Sequence, residues 1–106
     1  MFGLLSQLLG QSGNIELREA VKNGAFLVDV RTPGEFAGGS VPGAVNIPLD
    51  QVSAQLGRFK GKNGVVVFCR SGARSGQAKR ILEQNRIPNV INGGGWENVN
   101  KVVNEK

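Results

Sequence analysis

The 106-residue chain has no histidine and no tyrosine, and it carries one cysteine, Cys69. Without histidine there is no Cys-His or Ser-His dyad and no imidazole ligand for a metal. A single cysteine rules out an intrachain disulfide and any C-x-x-C redox or zinc motif. Aromatic residues make up 6% of the sequence, and there is no block of lysine and arginine. A nucleic-acid-binding surface would therefore lack both its stacking platforms and its phosphate track. Long apolar runs are missing too. Met1–Gly10 is apolar but interrupted, too short to span a bilayer, and lacks the basic start of a signal peptide. It reads as a docking turn of amphipathic helix. Nothing marks a reducing or an oxidising compartment. The expectation is a cytoplasmic protein, with an export signal removed ahead of this numbering left open.

What is present suits one small domain. The length allows one modest core, and 40% hydrophobic residues suit a folded soluble protein rather than a disordered one. A net charge of +5 favours small anions or anionic partners. The expected organisation is a short segment, 1–13, followed by a domain over 14–106. Asn14 can cap a helix over Ile15–Asn23, with Leu17, Ala20 and Val21 on one face and Gly24 as its stop. Ala25–Val30 is an apolar run suited to a buried strand. Residues 31–48 are turn-rich, with room for one brief strand at Ala44–Asn46. Asp50 can cap a second helix, with Leu49, Val52, Leu56 and Phe59 on one side. Arg58, Lys60 and Lys62 read as a solvated turn before the clearest strand, Val65–Cys69. Ala73–Gln84 predicts a helix with Ala78, Ile81 and Leu82 as its apolar stripe and Asn85 as a left-handed cap. Asn89–Asn92 is a further strand, Gly93–Gly95 breaks the chain, and Trp96, Val99, Val102 and Val103 mark a last helix. Strands alternating with helices predict an α/β fold with a parallel sheet covered on both faces.

Chemistry concentrates after the strongest strand. Ligands of open parallel sheets bind beyond the carboxyl ends of the strands, and Cys69 ends the central one. The loop Arg70-Ser71-Gly72 leads directly into the helix at Ala73, with Arg74 and Ser75 in its first turn. Such a loop turns successive backbone N–H groups inward as an anion cradle, reinforced by the positive end of the helix. Ser71 and Ser75 can add hydroxyl donors, and Arg70 and Arg74 add permanent charge. A thiol in that setting is expected to ionise near neutrality, with both arginines favouring the thiolate and anionic donors. The bland alternative is a buried structural cysteine at a strand end. A cationic loop makes little sense around an inert thiol.

Cys69-Arg70-Ser71-Gly72-Ala73-Arg74-Ser75 resembles the active-site loop of rhodaneses. Val28-Asp29-Val30-Arg31-Thr32-Pro33 with Glu35-Phe36 is similar to the upstream signature of that family. Val41-Pro42-Gly43-Ala44-Val45-Asn46-Ile47-Pro48 and Asn92-Gly93-Gly94 with Trp96 resemble two further family segments, in family order. The resemblance implies a rhodanese-like α/β fold, with a central five-stranded parallel sheet flanked by helices on both faces. It implies a sulfurtransferase in which the Cys69 thiolate takes sulfur from a small anionic donor such as thiosulfate. The resulting persulfide then passes the sulfur to cyanide, a thiol or a sulfur-accepting protein, with no metal or organic cofactor. It also implies supporting roles for Asp29 and Arg31 in holding the loop, and for Glu35 in orienting an active-site arginine. The family usually carries histidine where Ser40 stands, a departure expected to have a small effect. Trp96 reads as core or as a rim of the site.

Two other functions use a similar loop or fold. Cysteine-dependent phosphatases and arsenate reductases pair a thiolate with an arginine one residue further from the cysteine than Arg74, where this chain has Ser75. The shorter loop makes a smaller ring, suited to one sulfur atom rather than a phosphoryl group. A non-catalytic rhodanese-like binding module is the other alternative, but such modules typically lack the cysteine.

Overall fold

The computed structural model describes residues 14–105. The helical turn expected over Met1–Gly10 lies outside them. Residues 14–22 form helix α1, with Asn14 itself helical. There follow strand β1 (Phe26–Asp29), helix α2 (Pro33–Ala37), strand β2 (Val45–Asn46), two 3-10 segments (Leu49–Gln51 and Ser53–Phe59), strand β3 (Val65–Cys69), helix α3 (Ala73–Gln84), strand β4 (Val90–Gly95) and helix α4 (Trp96–Val103).

The strands form one parallel sheet in the order β2-β1-β3-β4. The five strands implied by the family resemblance are not all present: among the described residues there are four. The described segment before β1 is helix α1. All five residues of β3 are buried, as a strand flanked on both sides and covered on both faces should be. Its alternation divides the core. Val65, Val67 and Cys69 join Val28, Ile47, Phe59, Ala78 and Leu82 on the face covered by α3 and the 3-10 segments. Val66 and Phe68 join Leu17, Val41, Val99 and Val102 on the face covered by α1 and α4.

Three local expectations are corrected. The segment around Asp50 is 3-10 rather than α-helical. Val52 N–H bonds back to Leu49 and Gln55 N–H to Val52, Gln55 leaves helical geometry, and Pro48 rather than Asp50 holds the cap position. The left-handed residue after α3 is Arg86 (φ 64°), not Asn85 (φ −102°). Asn85 instead spends its side-chain amide on the carbonyl of Ile81. Finally, Gly93–Gly95 continues β4 instead of ending it. Val67 pairs with Asn92 and Phe68 with Gly94, so Gly93 is an extra residue in a bulge.

Candidate active site

Strand β3 carries Cys69 to the carboxyl edge of the sheet, and the chain must turn at once to enter α3. Gly72 makes that turn at φ 105°, a backbone conformation that favours glycine. The turn folds the loop back over the sulfur. Gly72 N–H donates to Cys69 Sγ at 3.0 Å, and Ser75 Oγ lies 3.4 Å from it. Cys69 is 1% exposed. Burial pushes the thiol up. The Ser75 hydroxyl and the backbone N–H groups of Ser75, Ser71 and Gly72 outweigh that and lower it from 9.0 to about 7.

The two arginines are placed differently. Arg74 makes a two-pronged pair with Glu35, Nη1 to Oε1 at 2.7 Å and Nη2 to Oε2 at 3.0 Å. Its guanidinium is held further toward the charged form by Glu35 first, with the sulfur contributing less. Glu35 is presented by a capping box in which it and Thr32 exchange hydrogen bonds at the start of α2. Its carboxyl is lowered to about 2 by Arg74 and the N–H of Thr32. Arg70 is exposed and lines a cleft of about 370 Å³ with Arg31, Glu35, Trp96 and Glu97. The thiol is therefore lowered chiefly by neutral donors fixed in the loop, and Arg74 adds a smaller Coulomb attraction from outside that inner layer. Ser71 is exposed at the loop tip, and Ala73 opens α3.

Asp29 and Arg31 form a buried node at the end of β1. Asp29 accepts from Arg31 N–H and from its Nε and Nη2, the last at 2.7 Å. Arg31 Nη2 also donates to the carbonyl of Gly39 at 2.6 Å, and its guanidinium lies 5.2 Å from the Trp96 ring centre. Ser40, standing where histidine was expected, donates its hydroxyl to Asp29 Oδ2 at 2.7 Å. The node fixes the 39–40 turn against Trp96, and its hydrogen bonds do not run to residues 70–75.

One residue not expected at the site is Asn92. Its Oδ1 accepts from Ser75 Oγ at 2.7 Å and from Gly94 N–H at 2.9 Å, and its Nδ2 donates to the carbonyl of Gly72 at 3.2 Å. It thus ties the bulge of β4 to both ends of the turn over Cys69. A polar side chain at a strand end immediately before three glycines is the signal that could have found it. Among the described residues, no three acidic or sulfur side chains converge as metal ligands. No described helix is long and apolar enough to cross a membrane.

A profile of the rhodanese-like domain matches residues 14–101. The chain belongs to the rhodanese-like domain family. Among its relatives is a protein named sulfurtransferase from Allochromatium vinosum, 37% identical over 81 residues that cover 76% of each chain. Another is the thiosulfate sulfurtransferase PspE of Escherichia coli, 39% identical over 74 residues covering 68% of this chain and 71% of that one. Among solved structures, an Escherichia coli rhodanese with anions superposes with a TM-score of 0.66 at 35% identity, over 71% of this chain and 91% of that one.

Proposed function

We propose that this rhodanese-like chain is a sulfurtransferase that carries sulfane sulfur on Cys69, with thiosulfate as the type of donor. The observation that carries this reading is the buried thiol, lowered to about 7 and held by the Gly72 N–H of the turn folded over it. The names of its relatives, sulfurtransferase and thiosulfate sulfurtransferase, support it. In the first step the Cys69 thiolate attacks the outer sulfur of thiosulfate. The new S–S bond forms as the old one breaks, and sulfite leaves with the bonding pair. The persulfide anion inherits the loop donors. In the second step cyanide or an acceptor thiolate attacks the terminal sulfur, carrying it away as thiocyanate or a new persulfide and returning the Cys69 thiolate. Neither step needs a proton donor for the leaving group, which fits a site without histidine. Arg70, exposed on the cleft beside the loop, is the guanidinium free to meet an incoming anion, while Arg74 is braced by Glu35.

The test is intact-mass spectrometry after incubation with thiosulfate. The wild-type chain gains the mass of one sulfur atom, reversed by a thiol reductant, and Cys69→Ser gains nothing. A demonstrably free thiol that takes up no sulfur would overturn the reading.

A further inference from the structure

We propose that Asn92 is a positioning residue that competes with the Cys69 sulfur for the single proton of the Ser75 hydroxyl, and thereby sets how readily the thiol ionises.

The orientation of Asn92 is fixed by its neighbours. Gly94 N–H can only donate and lies 2.9 Å from Oδ1, while the Gly72 carbonyl can only accept and lies 3.2 Å from Nδ2. Exchanging the two amide atoms would set donor against donor and acceptor against acceptor. Oδ1 therefore faces Ser75, and at 2.7 Å the Ser75 hydroxyl must donate to it. That commits the proton Ser75 has to offer. Its oxygen still has lone pairs for the sulfur 3.4 Å away, so a neutral thiol donates S–H to Ser75 and all three groups are satisfied.

Ionisation breaks this arrangement. A thiolate has no proton to give, and its lone pairs would face those of Ser75 Oγ. The hydroxyl must then turn its proton from Asn92 Oδ1 to the sulfur, leaving Oδ1 with Gly94 N–H alone. Asn92 thus draws the proton one way and the thiolate the other, and the site is buried enough for both to matter: Ser75 is fully buried and Cys69 nearly so. Charged groups come from other directions. Arg74 lies on α3 with its partner Glu35 on α2, Arg70 is in the loop, Glu97 is at the start of α4, and Asp29 and Arg31 pair at the end of β1. Strand β4 contributes no charged side chain to this edge, so its influence on the thiol runs through Asn92.

The experiment is a double-substitution cycle on the full chain, reading the midpoint of the pH dependence of Cys69 alkylation by iodoacetamide. Asn92→Ala is expected to lower the midpoint by about one pH unit when Ser75 is present, since a hydrogen bond to a charged group is released to the sulfur. In a Ser75→Ala background the same substitution leaves the midpoint where Ser75→Ala put it. An unmoved or raised midpoint with Ser75 present, or an equal fall in both backgrounds, would overturn the proposal, the last by showing that the loop has merely relaxed. Should Asn92→Ala fail to fold, Asn92→Asp supplies a stronger acceptor of similar size. It raises the midpoint more with Ser75 present than in the Ser75→Ala background, and an equal rise in both means a bare field effect and overturns the proposal. Alkylation reads the thiol directly, so the outcome does not depend on whether the chain transfers sulfur.

Discussion

A methyl group added at Gly95 is expected to disable the thiol by pushing on backbone. Gly95 pairs with Cys69 across the β3–β4 ladder, and a Cβ built there lies 2.8 Å from the carbonyl oxygen of Arg70 and 3.6 Å from its carbonyl carbon. Its φ of −79° is ordinary for alanine, so the whole effect is steric. The contact must open by about half an ångström or more to reach an ordinary van der Waals separation. Arg70 cannot yield without carrying Cys69 and Ser71, its chain neighbours, away from the 3.0 Å bond between Gly72 N–H and the sulfur. Overpacking of this kind costs about 1–3 kcal/mol. For a domain of this size each kcal/mol lowers the melting temperature by about 4–8 °C. The diagnostic is that the alkylation midpoint of Cys69 rises from about 7 toward 9.0 as loop donors are lost. Gly93→Ala provides the contrast. Its Cβ would meet Val99 Cγ2 at 2.6 Å and Val66 Cγ1 at 3.0 Å, both side-chain ends in the core, so it costs stability and leaves the midpoint near wild type. Gly34→Ala in α2 meets nothing within 4 Å and serves as the silent control. A Gly95→Ala protein with wild-type stability and midpoint would refute the steric reasoning, as would a Gly93→Ala protein that shifted the midpoint as far.

Asp29→Asn leaves Arg31 buried without its counter-charge and is expected to cost about 3–5 kcal/mol in urea unfolding. A loss below about 1 kcal/mol would place the pair with exposed ones and contradict the burial of both residues. Glu35→Gln removes the charge that braces Arg74. Since the Glu35 carboxyl titrates at about 2, the pair stays ionised through the neutral range, and the variant should change sulfur transfer by the same factor at about pH 6 and about pH 8 once thiol ionisation is allowed for. A variant effect that grows across that interval would show that Glu35 itself titrates there.

The elements whose residues repeat a simple pattern are legible in the sequence. Val65–Cys69 reads as a buried strand because every residue is apolar, and β1 and α3 follow for similar reasons of run length and stripe. The departures lie where two parts of the chain approach each other. Three glycines in a row read as a break, because glycine weakens strands. They are strand here because Gly93 must pass within reach of Val66 and Val99, and Gly95 beneath the carbonyl of Arg70. No single-segment pattern contains that information. The fifth strand came from family resemblance rather than from a run of residues, and the described chain does without it. At the site, Cys69 and its loop are readable from local chemistry. Asn92 is not, since its role depends on a bulge that turns its amide toward Ser75. The arginines are partly legible. Sequence shows two charges beside a thiol, and the family resemblance implies that Glu35 orients one of them; the folded chain shows which, pairing Glu35 with Arg74, 39 residues later.

That division between neutral and charged groups gives the thiol a property that can be measured. A thiol lowered by nearby guanidinium groups depends on Coulomb attraction through partly solvated space, and salt weakens it. The Debye length falls from about 10 Å at 0.1 M to about 3 Å at 1 M. A thiol lowered by N–H groups within hydrogen-bond distance, under a buried loop, is affected much less. Cys69 is chiefly of the second kind: the Ser75 hydroxyl and three backbone N–H groups hold the thiol at about 7, and the Arg74 charge adds a smaller Coulomb attraction. The sign follows directly. Below about 7 the folded protein holds a thiol and reacts slowly; above it the thiolate dominates, whereas a cysteine at its ordinary value would not ionise until about 9.0. Alkylation followed against pH should therefore give a midpoint near 7 that moves little between about 0.1 M and about 1 M salt. Capture of a thiosulfate anion through the exposed Arg70 should weaken over the same range, because that attraction acts through solvent. A midpoint that climbs toward 9.0 as salt is added would show that guanidinium charge, and not the loop's dipoles, holds the thiolate.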